Sequence, residues 1–232
     1  MPTSAARPEA ARTDDGEVRR ALAWTHTARF LTTASALAEL PVTELPEIAF
    51  VGRSNAGKST AINVLAQQKR LAFASKTPGR TQHINLFELG PKLEADALFA
   101  DLPGYGYAAV ERNAKLRWQE VMAEYLAVRR SLSAIVVLVD SRLGFTDIDR
   151  KLLDFVAPRL ANGSVKLLAL LTKVDKLNRR ETTAALRAAG DVLGEVISEE
   201  SDVSLTPFSS LSRAGVDDAA RVLYGWAHGA AP

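Results

Sequence analysis

Residues 52–59 read G-R-S-N-A-G-K-S, and this stretch constrains the fold of the chain more than any other. It matches the pattern G-x-x-x-x-G-K-S, in which backbone N–H groups bind phosphate, the lysine reaches the terminal phosphates and the serine hydroxyl binds Mg²⁺. An apolar run at 47–51 precedes it, and apolar residues at helical spacing follow it between 60 and 68. Strand, loop and helix in this order predict a phosphate-binding loop, because a helix N-terminus also attracts anions; the alternative is an ordinary glycine turn. The predicted loop consists of Gly52, Arg53, Ser54, Asn55, Ala56, Gly57, Lys58 and Ser59.

A second motif, Thr172-Lys173-Val174-Asp175, distinguishes GTP from ATP, which the phosphate loop alone does not do. It follows the apolar run at 166–171, at the end of a predicted strand, where open α/β sheets bind their ligands. A carboxylate at Asp175 can accept hydrogen bonds from both the ring N–H and the exocyclic amine of guanine, whereas adenine offers no such pair of donors. A site that expects two donors rejects a base without them by about 10⁴-fold. The motif therefore predicts guanine, although by itself T-K-x-D also fits a solvated loop.

A third motif, Asp101-Leu102-Pro103-Gly104, matches D-x-x-G and follows the apolar run at 97–100. We expect its carboxylate to face the magnesium region and its glycine N–H to face the γ-phosphate. The alternative is a loop aspartate before a turn. The preceding strand and the distance along the chain from Lys58 favour the nucleotide interpretation.

The polar segment 72–82 contains proline and glycine and is predicted to be a loop. A hydroxyl from such a loop can ligate Mg²⁺ only when the γ-phosphate is present, which is one way in which nucleotide-dependent loops switch. On the residues alone, Thr77 and Thr81 are equal candidates. His83 lies two residues beyond Thr81 and either approaches the phosphates or is exposed.

The rest of the chain alternates strand-sized apolar runs with helical patterns. This alternation predicts an α/β fold with a doubly wound, mostly parallel, six-stranded sheet. The runs at 84–89 and 97–100, joined by Gly90-Pro91-Lys92, predict one antiparallel edge hairpin. Residues 1–20 are predicted to be a disordered tail, 21–228 to be the nucleotide-binding domain, and 229–232 to be a C-terminal tail.

The composition of the 232-residue chain excludes several other classes of protein. It has no cysteine, which excludes disulfides and thiolate metal sites, and its apolar runs are strand-sized. A net charge of +2 is too small to indicate a nucleic-acid partner by itself. We therefore expect a cytoplasmic protein that does not bind membranes.

The boxes GRSNAGKS, SKTPGRTQxIN, DLPGYG, TKxD and FSS occur in this order between Trp24 and Trp226. Together they resemble the EngB (YihA/YsxC) family of small bacterial GTPases. The resemblance implies a P-loop GTPase that binds GTP and GDP, uses Mg²⁺ and assists assembly of the large ribosomal subunit from rRNA and ribosomal proteins. It also implies a link to growth, division and septation. We further expect a monomer.

The resemblance also implies residue roles by position. Ser59 and Thr81 would ligate Mg²⁺, and Lys58, Thr81, Asn55 and Gly104 would serve catalysis. The implied nucleotide-binding residues outside the phosphate loop are, in the first switch, Gly79, Arg80, Thr81, Gln82 and His83; in the second switch, Asp101, Leu102, Pro103 and Gly104; and at the base, Thr172, Lys173, Val174, Asp175, Phe208, Ser209 and Ser210.

Three positions differ from GTPases at large. Thr172 replaces the asparagine that is usual in GTPases at large. Threonine at this position agrees with the EngB pattern. Tyr105 follows D-x-x-G where Ras-like enzymes have a water-orienting glutamine, which predicts slow intrinsic turnover. Asn55 resembles the asparagine through which relatives bind an activating K⁺; alternatively it braces the loop by local hydrogen bonds.

Two other functions stay open on the sequence. One is a housekeeping enzyme that hydrolyses or phosphorylates nucleotides, for which no substrate pocket or lid beyond the five boxes is visible. The other is a regulatory GTPase that acts on a non-ribosomal partner. Scattered basic pairs, such as Lys69-Arg70 and Arg179-Arg180, fit rRNA contacts and a solvated surface equally well.

Overall fold

The computed structural model of the protein describes residues 9–72, 83–106 and 121–229. Within these residues, seven strands form one sheet and six α-helices pack around it. The strands are β1 Arg29–Ala34, β2 Glu47–Gly52, β3 Ile84–Leu89, β4 Ala97–Asp101, β5 Leu132–Asp140, β6 Lys166–Thr172 and β7 Val203–Pro207. The helices are α1 Glu9–Thr25, α2 Lys58–Leu65, α3 121–128, α4 Asp147–Ala161, α5 Arg179–Gly194 and α6 Val216–His228.

The strand order is β1-β3-β4-β2-β5-β6-β7. All pairs are parallel except β1 with β3 and β3 with β4, so the predicted α/β class and the predicted hairpin are confirmed. The predicted count of six strands is one short. The additional strand is β1, in which Phe30 pairs with Phe87 and Thr33 with Asn85. Aromatic and β-branched pairs of this kind stabilise a sheet, so β1 rather than β3 forms its edge.

Two hydrophobic layers cover the two faces of the sheet. In β2, Ile48 and Phe50 pack in the layer that contains α1, α2 and α6, whereas Ala49 and Val51 pack in the layer that contains α3, α4 and α5. Because both faces are covered, the central strands are apolar throughout. Because β2, β4, β5, β6 and β7 run parallel, their carboxyl ends lie at one edge of the sheet, and the polar motifs follow them there.

Helix α1 corrects the prediction of a disordered tail over residues 1–20. That prediction is wrong from Glu9 onward, because α1 begins there and is helical to Thr25. Ala21 and Trp24 are buried in the layer shared with α6, so the helix has an apolar anchor that composition alone does not reveal. Residues 1–8 and 230–232 lie outside the described residues, and the domain boundaries stay predictions.

Helix α4 differs from its sequence pattern, whereas α5 ends at one of the two glycines that its pattern allows. The apolar spacing over 146–156 predicts a helix that is ended by Pro158, because proline removes one helical hydrogen bond. In the structure α4 continues through Pro158, and Leu160 beyond it is fully buried. Helix α5 runs without interruption through Gly190 and ends at Gly194. None of the described helices is both long and apolar enough to cross a membrane.

Candidate nucleotide site

The predicted phosphate loop joins the end of β2 to the start of α2. Gly57 has φ +100° directly before Lys58, a left-handed conformation that favours glycine. A side chain at Gly52 would bring a Cβ to 2.8 Å from the backbone oxygen of Leu138 in β5, so only glycine allows the two strands to approach this closely. The backbone conformation of the loop therefore favours glycine at both positions, where the motif has it.

Lys58 and Asp101 form a buried ion pair that brings the phosphate loop to the D-x-x-G segment. The Lys58 Nζ contacts Asp101 Oδ1, and the two side chains are 7% and 1% exposed. The Ser59 hydroxyl lies 3.4 Å from Asp101 Oδ2. A hydroxyl beside a carboxylate is a donor set that suits Mg²⁺, which usually binds through few protein oxygens and completes its shell with water and phosphate. Among the described residues, no group of three or more acidic or histidine side chains is placed to hold a metal ion.

The backbone also joins these two segments. Arg53 and Tyr105 form a parallel β-bridge, in which the Ser54 N–H donates to the Tyr105 carbonyl at 2.9 Å. The Tyr105 N–H donates to the Gly52 carbonyl at 3.2 Å, and the Ser54 hydroxyl donates to the Gly104 carbonyl at 3.3 Å. A displacement of one segment therefore strains the other. Leu102 and Pro103, which lie between Asp101 and Gly104, are buried.

Tyr105, which follows D-x-x-G, points into the protein. It is 2% exposed, and its hydroxyl donates a 2.8 Å hydrogen bond to Asp149 of α4. Burial and the neighbouring Asp149 carboxylate raise the pKa of Tyr105, so the phenol keeps its proton. Its hydroxyl is thus engaged with α4, and sequence reasoning missed this partner.

Thr172 and Lys173 join the guanine motif to the phosphate loop. The Thr172 hydroxyl donates to the Ala56 carbonyl at 2.7 Å. Lys173 has φ +62°, and its ammonium donates to the Asn55 carbonyl at 2.7 Å and to Asp140 at 2.9 Å. The lysine therefore holds the phosphate loop from the side of the base-reading motif.

Asp140 and Arg142 are further site residues that sequence reasoning missed. Arg142 binds Asp140 through its backbone N–H and its guanidinium, at 2.6–3.1 Å. Burial alone would raise the pKa of Asp140, but the hydrogen bonds from Arg142 and Lys173 outweigh it and hold this pKa well below its ordinary value. The signal was available, since Asp140 is the last residue of an apolar strand at the edge that carries the site.

Asp175 is held by Ser209, as expected if both belong to one base site. The Ser209 hydroxyl donates to the Asp175 carboxylate at 2.6 Å and accepts from the N–H groups of Leu211 and Ser212. The hydrogen bond from Ser209 lowers the pKa of Asp175, and the neighbouring Lys176 lowers it further. Asp175 is therefore a carboxylate at neutral pH.

The remaining base residues lie beside this pair. Phe208 is fully buried. Its N–H donates to the Leu171 carbonyl in β6, and its carbonyl accepts from the Val174 N–H just after β6. Ser210 is partly exposed at the start of the turn that follows.

The amino-acid sequence of the chain matches known proteins. A family model described as "50S ribosome-binding GTPase" matches residues 47–173. A probable GTP-binding protein EngB from Acidovorax ebreus is 58% identical over 212 residues, covering 89% of this chain and 91% of that protein. Another from a Polaromonas species is 56% identical over 227 residues, covering 97% of this chain and 89% of that protein. The chain belongs to the EngB family.

Solved structures support the same fold. A probable EngB structure aligns with a TM-score of 0.60 at 18% identity, covering 79% of this chain and 99% of the other. Era, solved with MgGDPNP and a 16S ribosomal RNA fragment, aligns with a TM-score of 0.63 at 21% identity, covering 80% of this chain and 57% of the other. At these identities the likeness shows the fold alone.

Contacts between side chains and backbone link the phosphate loop to Asp101, Gly104, Thr172 and Lys173, and link Asp175 to Ser209. The first-switch residues Gly79, Arg80, Thr81 and Gln82, and also Thr77, lie outside the described residues, so their roles stay predictions. His83 is exposed, and its Nδ1 lies 2.9 Å from the Ser35 hydroxyl. The fold is that of a P-loop GTPase, and its candidate site has a phosphate loop with a buried lysine, a carboxylate beside a serine hydroxyl, and an aspartate anchored by Ser209.

Proposed function

We propose that this EngB-family chain hydrolyses GTP slowly, with Mg²⁺, as a conformational switch in assembly of the large ribosomal subunit. The observation that carries the nucleotide part is the network running from Lys58 and Asp101 through Lys173 to the end of β6, where Asp175 follows. It supports a site in which Lys58 would bind phosphate and Asp175 would read guanine at the same edge of the sheet. The protein would work in the cytoplasm, in support of growth, division and septation.

The chemistry of such a site is electrostatic. Lys58 would offset the negative charge that develops as the γ-phosphoryl group passes to water. Ser59 and Asp101, together with Thr81 outside the described residues, would hold Mg²⁺, which supplies further charge neutralisation when bound. The Gly104 N–H and Thr81 would contact the γ-phosphate, so that both segments relax after its loss.

Slow turnover follows from the engagement of Tyr105. Its hydroxyl is bound to Asp149, and no amide stands at this position to orient the attacking water. Stabilisation of the arginine-finger type is worth about 10³- to 10⁵-fold in rate, and its absence would leave a slow enzyme until a partner or a cation supplies it. A fast turnover of purified protein alone would instead favour a housekeeping nucleotide hydrolase.

Asn55 is the residue through which K⁺ would act. Its side chain is exposed and makes no hydrogen bond to any described residue, which favours a ligand role over the bracing of the loop. We expect GTP turnover to be faster in K⁺ than in Na⁺ at matched ionic strength, and Asn55→Ala to remove the difference. Equal rates in the two salts for the unaltered protein would overturn the K⁺ role.

The ribosomal part of the proposal is supported by the description of the matching family model. Its test is co-sedimentation with large-subunit particles in the presence of a non-hydrolysable GTP analogue or GDP. We expect the protein to move with the particles in one nucleotide state and to be released in the other. No movement with the particles in either state would refute the ribosomal role and favour a non-ribosomal partner.

A further inference from the structure

The outward face of α5 carries three arginines whose charges are not neutralised within the described part of the chain. Arg179, Arg180 and Arg187 are exposed, and their side chains make no hydrogen bond or ion pair to a described residue. Some other exposed cations of the described chain are neutralised by an ion pair. Arg150 pairs with Glu195 at 2.7 Å, for example.

Helical geometry places Arg180 and Arg187 on one side of α5. Seven residues make about two turns, so the two side chains project in nearly the same direction from points about 10 Å apart along the axis. The buried residues Ala189, Val192 and Leu193 define the opposite face. Between the two arginines lie only small exposed side chains, Thr183 and Ala184, which leave room for a close approach.

The acidic residues of α5 leave the first half of the helix positive. The Glu181 carboxylate is engaged in the capping box, where it accepts the Asn178 N–H at 2.8 Å. Asp191 lies one turn beyond Arg187 and forms no ion pair with it in the described chain. The helix dipole adds positive charge at the same end.

This positive surface is continuous with the base-reading loop. Helix α5 begins at Arg179, four residues after Asp175, and only Lys176, Leu177 and the N-cap Asn178 lie between them. A ligand bound along α5 therefore lies beside the loop that contacts guanine, so its affinity can respond to the nucleotide state.

We propose that the α5 stripe, defined as Arg179, Arg180 and Arg187, binds the phosphate backbone of RNA in the large ribosomal subunit. The inference rests on the proposed ribosomal function and assigns the surface that carries it out. Guanidinium groups pair with phosphate through two parallel hydrogen bonds, and two of them on one rigid helix can contact successive phosphates of one strand.

The test compares Arg180→Gln/Arg187→Gln with the control Lys92→Gln/Lys151→Gln. Both double variants remove two positive charges from exposed positions. Binding to purified large-subunit RNA is measured by fluorescence anisotropy across a salt series, beside co-sedimentation with large-subunit particles. We expect the α5 variant to lose about 10- to 100-fold in RNA affinity and its salt slope to fall by about 1.4–1.8. The control should lose little, and GTP affinity should be unchanged in both.

Each contrary result has its own meaning. If the unaltered protein never moves with large-subunit particles, the proposed function fails. If it does, and the α5 variant binds RNA as well as the control does, the stripe is overturned while the ribosomal role stands. Loss of particle binding with unchanged affinity for isolated RNA would also overturn the stripe as an RNA site, since it indicates an acidic protein surface as partner.

Discussion

Single hydrogen bonds between distant residues hold the candidate site in shape. Ser209 fixes Asp175 across 34 positions of the chain, and Lys173 reaches the Asn55 carbonyl across 118. Hydrogen bonds to charged groups contribute about 1.5–3 kcal/mol each, more than neutral ones. We therefore expect that removal of one of these contacts alters nucleotide binding, because the residues that they hold belong to the candidate site.

Ser209→Ala should shift the pH dependence of GTP binding. The Ser209 hydrogen bond lowers the pKa of Asp175, so the carboxylate, and with it GTP affinity, is lost only as pH falls through this lowered value. The variant lacks that bond, and affinity should therefore decline at a higher pH on acidification. GTP titrations between neutral pH and the ordinary aspartate pKa of about 3.9 measure the shift. Ser212→Ala is the control, and identical acid limbs for the two variants would refute this role.

Asp140→Asn should speed the release of GTP and GDP. The substitution removes the negative charge that holds Lys173 against the phosphate loop, and loss of one charge-assisted hydrogen bond corresponds to about 10-fold in rate. Stopped-flow release of a fluorescent nucleotide measures the effect, with Asp147→Asn on the exposed face of α4 as control. Release rates equal to those of the control would mean that Lys173 holds the loop without Asp140.

Whole elements are coupled by the bridge between the phosphate loop and the segment after β4. Tyr105 takes part twice, through its backbone to Ser54 and through its hydroxyl to Asp149. Asp149 also completes the capping box of α4 by accepting from Thr146. The segment after D-x-x-G is thus attached to both the nucleotide loop and α4.

Asp149→Ala should destabilise the fold by about 2–4 kcal/mol, because it removes a cap and leaves the buried Tyr105 hydroxyl unpaired. The exposed Asp147, at the start of the same helix, provides the matched control Asp147→Ala. Chemical denaturation measures both. A difference below about 0.5 kcal/mol between the two variants would contradict the coupling.

How much the sequence predicts depends on how local the cause is. The five boxes are local patterns of glycine, hydroxyl and charge, so the phosphate loop, Asp101 and Asp175 were predictable from spacing. Strand β1 and the Tyr105–Asp149 contact depend on residues far along the chain, whose pairing no local pattern encodes. Asp140 lies between these cases, since its place at a strand end was visible but its partners were not.

At the scale of the molecule, α1 and α6 pack together, with α2, on one face of the sheet. Trp24 is 5% exposed, packs edge-on against Phe99 and Tyr224, and donates a 2.8 Å hydrogen bond to Asp96. His228 at the end of α6 lies 3.2 Å from the same carboxylate. The N-terminal helix is thus part of the folded domain.

Trp24→Ala should cost about 3–5 kcal/mol of folding free energy, the usual range for loss of a buried aromatic side chain. Because the site lies at the carboxyl edge of the sheet, the folded fraction should keep its preference for GTP over ATP. Thermal unfolding beside nucleotide titration measures the two effects. A loss of stability below about 1 kcal/mol would show that α1 is not held by this residue.

The central claim is that Asp175 reads guanine at the crevice where Lys58 and Asp101 bind phosphate and Mg²⁺. Calorimetric titration of GTP and ATP into the unaltered protein and into Asp175→Asn tests it most directly. We predict that the unaltered protein binds GTP about 10⁴-fold more tightly than ATP, and that the variant loses this preference. Equal affinities for GTP and ATP in the unaltered protein, or an undiminished preference in the variant, would contradict it.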